Sequence, residues 1–501
     1  MVGTIDRTRG RTGKRLVILC DGTWQNAEGE NPKPPTNIVR LARAIEPTAI
    51  IRGEDGQPDR EVDQVVYYQS GVGTGVLDGI IGGAIGLGLS SKVRAAYGWL
   101  ADNYVEGDTI CIFGFSRGAY TARSIAGLIT KMGLLSKRGM DNFLEVYNQY
   151  YKNPSLSPSL HSDYYERNGL TALPRGTIEV VGVFDTVGFH RPITGRIPGL
   201  NRFIGEEYEL PNTVLSDHVK YAFHALALDE SRVAYKPTLL YKKKEGSQSF
   251  TGTDNVSLGW DGKTVLKQCW FSGQHEDCGG GKNDPRLSNI ALGWMVSECE
   301  EAGVLTFDAS YILRQSNVVF AGKPWGTALG FAGPWWENLR PVFLQRILNL
   351  VFIIINLLVD LAHRWGQTKI FGLHIGGIRT PGKYHNQDRH GHVFQGNYET
   401  CEFIHSSVLD RKLGQYGPSA WPCKSLRGRV LEKRGNTAVL VDKMSPSNDL
   451  RIQKPGTIEL RCKNNVRNAL KERSLPQDRK PFESFEVQLH KTAKLGFANG
   501  F

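Results

Sequence analysis

The chain lacks the marks of several common protein classes. Its eight cysteines (Cys20, Cys111, Cys269, Cys278, Cys299, Cys401, Cys423 and Cys462) include no Cys-x-x-Cys pair and no metal-ligand spacing. That argues against a zinc module and for reduced, mostly buried thiols. No apolar run reaches the roughly 20 residues that span a bilayer. The most apolar one, Ile347 to Leu361, is interrupted by Asn349, Asn356 and Asp360. A basic opening (Arg7, Arg9, Arg11, Lys14, Arg15) precedes only the short run Leu16 to Cys20. This is too brief for the core of a signal peptide, so an intracellular, cytoplasmic location is expected. The formal net charge is +11, yet zinc-finger spacing, a basic region with heptads and an aromatic RNA-binding signature are all missing, so no nucleic-acid partner is expected. Lys and Arg are spread along the chain, as on a solvated basic surface; peripheral contact with an anionic membrane is the other reading.

What is present is an ordinary globular composition, 40% apolar over 501 residues, enough for one large domain or two to three smaller ones. From Leu16 to about Glu300 short apolar runs alternate with amphipathic ones, which predicts a mostly parallel sheet flanked by helices. The predicted strands are Leu16 to Cys20, Val62 to Tyr68, Thr109 to Phe113, Ile178 to Phe184 and Leu266 to Phe271. The predicted helices are Thr36 to Ile45, Ser91 to Tyr104, Ala119 to Lys131 and a segment near Asn289 to Glu300.

The expected organisation is a basic extension (1–15), an α/β domain (16–412) with an apolar cap or lid region around 320–366, and a small basic C-terminal module (413–501). In that module Arg427 to Leu431 and Thr437 to Val441 read as paired strands. The run 347–361, flanked by Trp335, Trp336, Arg340, Arg346, Arg364 and Trp365, reads as a core helix, a lid at an interface or a membrane-inserted segment.

Two glycine-rich stretches resemble phosphate loops at first sight. Gly71-Val72-Gly73-Thr74-Gly75 does not keep the G-x-G-x-x-G order, and Gly279-Gly280-Gly281-Lys282-Asn283 lacks both the first glycine and the Ser/Thr of a P-loop. No cofactor is expected.

Gly114-Phe115-Ser116-Arg117-Gly118 carries the chemistry. A Gly-x-Ser-x-Gly run between a buried strand and a helix mounts a serine on a sharp turn, where the amide of the next residue, Arg117, points at a developing oxyanion. A serine hydroxyl needs a base, and the base needs a group to orient it. In α/β hydrolases these follow in the order serine, acid, histidine. Asp185, after the strand ending in Phe184, is the expected acid, and His275, after the strand ending in Phe271, the expected base. A turn or cap role for Asp185 is the plainer alternative.

Asp21-Gly22-Thr23, just past the first strand, is placed to supply a second oxyanion amide from Gly22 or Thr23, or to form an Asx-turn, or both. Asp21, Asp277 and His224 are candidate supporting groups. His224, in Ala222-Phe223-His224-Ala225-Leu226, reads as a core histidine in a helical setting and as the main rival base, with His405 a weaker one. His385, His390 and His392 form a loose cluster without the helical i, i+4 pairing of a metal site. No metal is expected.

Several motifs together resemble the α/β-hydrolase family called domain of unknown function 2235. They are Leu19-Cys20-Asp21-Gly22-Thr23-Trp24, Pro35-Thr36-Asn37-Ile38, Gly71-Val72-Gly73-Thr74, Gly114-Phe115-Ser116-Arg117-Gly118-Ala119, Phe184-Asp185-Thr186-Val187-Gly188 and Trp270-Phe271-Ser272-Gly273-Gln274-His275-Glu276-Asp277-Cys278. Fainter echoes lie in Ala225 to Glu230 and Glu402 to Val408. That family includes bacterial type VI secretion phospholipase effectors. The resemblance implies a serine esterase or phospholipase A with Ser116, Asp185 and His275 as its triad, acting on a lipid or other ester. Cys278 stands where the family pattern has valine, and the chain after about Leu413 does not resemble the effectors' membrane-targeting part. The other readings are an esterase or thioesterase on soluble acyl substrates, a non-catalytic membrane-associated scaffold, and a metal-dependent phosphoesterase using Asp21, Asp277 and the histidines.

Overall fold

The run Leu16–Cys20 is buried at every position, as a strand covered on both faces must be. In the computed structural model it forms part of β1 (Arg15–Cys20), third from one edge of one large sheet. The structure describes residues 13–22, 34–51, 59–71, 82–152, 164–165, 167–173, 177–187, 214–232, 235–244, 264–315, 369–370, 373–374, 378–381, 398–405, 407–410, 426, 429–434, 437–442 and 450–453. Thr23, the 320–366 region with its apolar run, and His385, His390 and His392 lie outside the described residues.

The other strands of the sheet are β2 (Thr48–Ile51), β3 (Arg60–Gln69), β4 (Thr109–Phe115), β5 (Ile178–Phe184), β6 (Val219–Ala227), β7 (Val265–Phe271), β8 (Glu402–His405), β9 (Arg429–Arg434), β10 (Thr437–Asp442) and β11 (Leu450–Gln453). Their order across the sheet is β9-β10-β11-β8-β7-β6-β5-β4-β1-β3-β2. From β11 to β3 every neighbouring pair is parallel. Antiparallel partners close both edges: β2 beside β3, and the β9–β10 hairpin beside β11. This is the mostly parallel, helix-flanked α/β architecture expected from the sequence. The sheet also runs across the 412/413 boundary, because β11 pairs with β8.

Helices cover both faces. Leu16 and Ile18 face one core with α2 (Gly82–Asn103), α3 (Arg117–Met132) and α4 (Phe143–Lys152), while Val17 and Leu19 face the other with α1 (Asn37–Ala44) and α6 (Arg286–Glu301). The two-residue alternation of a strand assigns successive side chains to opposite layers. Each fully buried Leu, Ile or Phe contributes about 1.5–3 kcal/mol by leaving water. Gly118 lets α3 press onto the end of β1: a Cβ there would overlap the carbonyl oxygens of Cys20 and Asp21.

The helix expected over Ser91 to Tyr104 begins earlier, at Gly82. The segment around His224 is the strand β6, not a helix. Paired on both sides and buried over its second half, it shows no alternation, and a short apolar run of that kind has no periodicity to tell strand from helix. Among the described residues no helix is long and apolar enough to cross a membrane.

Candidate active site

Ser116 sits between β4 and α3 with φ 59° and ψ −123°, a backbone conformation that costs a non-glycine residue of order 1–3 kcal/mol. Among the described residues, the other non-glycine positions with positive φ are Asp185 at 41° and Cys401 at 46°. Two of these three strained positions are thus the expected nucleophile and the expected acid. They are also neighbours: β4 and β5 run parallel with Phe115 opposite Phe184, and the Ser116 amide donates to the Phe184 carbonyl at 3.0 Å.

His275 opens the short helix α5 (His275–Gly279) after β7. Its Nδ1 lies 2.6 Å from Asp185 Oδ2. A carboxylate only accepts, so Nδ1 carries a proton, and in the neutral imidazole Nε2 keeps its lone pair. Nε2 is buried and has no hydrogen bond to any described residue, Ser116 included; bonds of this type commonly tighten only when substrate binds. The ring is held by Phe115, the residue before the nucleophile, and by Tyr235, each 4.7 Å away between centroids. Its backbone amide donates to Glu230 Oε2 at 3.3 Å, and Glu230 is forked by Arg232, whose guanidinium lies 3.7 Å over the Tyr235 ring.

Asp185 is fully buried and uses both oxygens. Oδ1 accepts from the Ala227 amide at 3.0 Å and from Arg379 at 2.5 Å; Oδ2 accepts from His275 and from the second arm of Arg379 at 3.0 Å. Burial pushes this carboxyl up, but the Arg379 charge and the bonds from His275 and Arg379 outweigh it, and the group is held well below the usual carboxylate range.

His224 supports the acid turn. Its Nε2 accepts from the Thr186 amide at 3.2 Å, and its Nδ1 faces Gln268 Oε1 at 3.0 Å. Gln268 also accepts from the Leu240 amide through that oxygen and donates to the Leu240 carbonyl through Nε2. Its orientation is therefore fixed, and His224 is the neutral Nδ1–H tautomer. Burial and the nearby Arg123 charge bring this imidazole down to about 3. It is a core histidine, as read from the sequence, on a strand where a helix was expected. His405 is buried too, with Nδ1 2.7 Å from the Ser407 hydroxyl and its ring stacked on Phe271.

Asp21 is buried and accepts from the Gly22 amide at 2.6 Å, the Tyr68 hydroxyl at 2.8 Å and the Thr36 hydroxyl at 2.9 Å. Burial raises its carboxyl to about 6 against those three bonds. A Cβ placed on Gly22 would come within 3.4 Å of Ser116 Cβ, so the Gly22 backbone lies beside Ser116. Its N–H, however, is turned to Asp21. The Arg117 amide is the first of α3, where helix amides are free to donate outward. Asp277 caps α5 by accepting from the Gln274 amide at 2.9 Å, and it pairs with Lys282. Among the described residues no group of three His, Cys, Asp or Glu could hold a metal ion.

Sequence reasoning missed Arg379, Tyr235 and the role of Glu230. Glu230 closes a segment already noted as family-like. Arg379 sits alone in Gly376-Gly377-Ile378-Arg379-Thr380-Pro381, and only its position in space connects it to Asp185.

A serine on a strained strand-to-helix turn of a mostly parallel sheet, with Asp185 past the adjacent strand β5 and His275 past β7, two strands further along, defines an α/β-hydrolase-like fold. The chain belongs to the family described as T6SS, phospholipase effector Tle1-like, catalytic domain, whose model matches residues 14–298. It is also similar to "Uncharacterized protein YEL023C" of Saccharomyces cerevisiae, 26% identical over 247 residues, which are 45% of this chain and 32% of the yeast protein. Among solved structures it resembles that of the Tle1 effector bound to the VgrG spike from the type 6 secretion system, at 19% identity and a TM-score of 0.31. That likeness covers 54% of this chain and 51% of the other. The chain thus spans about a third of the yeast protein and about half of the effector chain.

Proposed function

We propose that the chain is a serine hydrolase cleaving carboxylic esters of lipids, of the phospholipase A or lipase type. Ser116 Oγ attacks the ester carbonyl while His275 Nε2 takes its proton, and Asp185 holds the imidazole and stabilises its charged form. The Arg117 amide, with Gly22 or Thr23, receives the oxyanion; for Gly22 this requires its N–H to leave Asp21. Collapse of the tetrahedral intermediate expels the alcohol, which takes the proton from His275. Water, activated by the same imidazole, then releases the acyl group as a carboxylic acid.

The observation that carries this reading is the 2.6 Å contact between His275 Nδ1 and Asp185 beside a serine whose backbone is strained in the way of a nucleophile turn. The lipid part is supported by family membership and by Arg117. That guanidinium follows the nucleophile directly and has no carboxylate partner among the described residues. It suits a substrate that carries a phosphate.

The test is labelling with a fluorophosphonate probe, with the modified residue located by mass spectrometry, beside fatty-acid release from phospholipid vesicles. Labelling at Ser116 and a fall in release on the order of 10⁶ in Ser116→Ala are expected. Full hydrolysis by Ser116→Ala removes the mechanism. Labelling with soluble esters alone as substrates moves the chain to the esterase or thioesterase class.

A further inference from the structure

Arg379 is buried, lies 194 residues from Asp185 in sequence and outside the stretch matched by the catalytic-domain family, yet it touches the acid on both oxygens. One arm bonds Asp185 Oδ1 and the Ala227 carbonyl, each at 2.5 Å; the other bonds Asp185 Oδ2 at 3.0 Å and the Tyr235 carbonyl at 2.6 Å. The same two residues meet the triad a second time. Ala227 donates its amide to Asp185, and Tyr235 lays its ring edgewise on His275. Arg379 therefore closes a ring of contacts that fixes the plane of the carboxylate and the wall behind the imidazole.

We propose that Arg379 is a positioning residue for the reaction: by forking the Asp185 carboxylate it sets the pose in which His275 reaches Ser116. The proposal rests on the Ser116–His275–Asp185 reading given above. Without Arg379 each oxygen of the carboxylate would keep one bond, Oδ1 from the Ala227 amide and Oδ2 from His275. The planar guanidinium adds a second to each, and its two parallel N–H bonds fit one orientation only. Lysine, a point charge with rotatable donors, cannot substitute for the fork.

The other charged and titratable groups here are already committed. Glu230 is forked by Arg232, His224 is neutral and bonded to Gln268, and burial keeps the Cys278 thiol protonated. Arg379 is thus the cation assigned to Asp185. With it the carboxylate is anionic and aligned before substrate arrives; the rate then depends on a segment the catalytic-domain family does not include.

The experiment is a double-mutant cycle on the full chain, with a soluble short-chain ester as substrate and kcat and KM followed against pH. Arg379→Gln is expected to lower kcat by 10- to 100-fold with KM little changed, as a misplaced base does. It is also expected to move the acid limb of the pH profile upward by about one unit or more, because the base must be neutral to take the serine proton and loss of the neighbouring cation favours its charged form. In an Asp185→Asn background the same substitution is expected to change kcat by less than about twofold, since its effect passes through the lost carboxylate. Arg379→Lys should keep the limb in place while kcat stays low.

An unmoved limb, or an equal loss in both backgrounds, overturns the proposal and makes Arg379 a structural ion pair. If Arg379→Gln does not fold, Arg379→Lys decides: full kcat overturns the fork, reduced kcat with an unmoved limb supports it. Full activity of Asp185→Asn by itself would instead remove the triad reading.

Discussion

The Ser116 amide donates to the Phe184 carbonyl at 3.0 Å, so the turn of Ser116 and the turn of Asp185 are zipped together by the last rung between two parallel strands. Asp185 follows Phe184 directly. Its φ of 41° starts where the ladder ends, and its side chain turns to His275 while its own amide bonds the Ala225 carbonyl on the next strand at 2.7 Å.

Replacing the acid without changing its shape tests this arrangement. Asp185→Asn is expected to lower kcat by roughly 10⁴, because an amide in place of the carboxylate favours the wrong imidazole tautomer. Single-turnover acylation by an activated ester measures it, with near-normal kcat as the contrary result.

Gly118→Ala is expected to destabilise the fold by about 1–3 kcal/mol or more. The added methyl would strike the carbonyl oxygens of Cys20 and Asp21, and backbone cannot step aside as a flexible side chain can. Urea unfolding reads the change. A midpoint equal to that of the parent would mean that α3 and β1 are not packed this closely.

Acid lability should trace in part to His224, whose imidazole is held down to about 3 by burial and the charge of Arg123. The unfolded chain takes up that proton near pH 6.5. Unfolding therefore gains a proton between about 6.5 and about 3, and stability falls as pH falls through this window. Asp185, with its lowered carboxyl, adds to the loss below about pH 4, whereas Asp21, raised to about 6, acts in the opposite sense between about 4 and 6. His224→Gln should flatten the difference in urea midpoint between pH 7 and pH 5, and an unchanged difference counts against the assignment.

The side chain of Arg117 is expected to matter for phosphate-bearing substrates and not for neutral ones. Arg117→Gln keeps the backbone amide and removes a charge whose hydrogen bond to an anion stabilises by about 1.5–3 kcal/mol. A 10- to 100-fold loss of kcat/KM on short-chain phosphatidylcholine, with a neutral ester hydrolysed at the parent rate, is the expected pattern. Equal losses on both would place Arg117 in the catalytic turn alone.

The sheet was legible in the sequence wherever a strand ends in chemistry. β1, β4, β5 and β7 are compact apolar runs that stop at Asp21, Ser116, Asp185 and the loop of His275, so each strand and its candidate site residue announced one another. β6 was not legible, because its second half is buried on both sides and Ala222-Phe223-His224-Ala225-Leu226 has no period to betray it. Arg379 was not legible for a different reason. Its role consists entirely of partners at positions 185, 227 and 235, and no local pattern encodes a contact across 194 residues. The Gly22 amide shows a third limit: its place beside Ser116 followed from the motif, but its bond to Asp21 depends on how one turn closes.

The distance in sequence between Asp185 and Arg379 also sets an order of events at the ribosome. A nascent chain that has exposed everything from β1 through α6 holds its serine, acid and histidine, and still lacks the cation that fastens the acid. Full alignment waits until the chain has been synthesised well past its matched catalytic stretch, and so does the β7–β8 pairing. On the proposed reading of the site, the aligned carboxylate is completed only late in the chain's own synthesis.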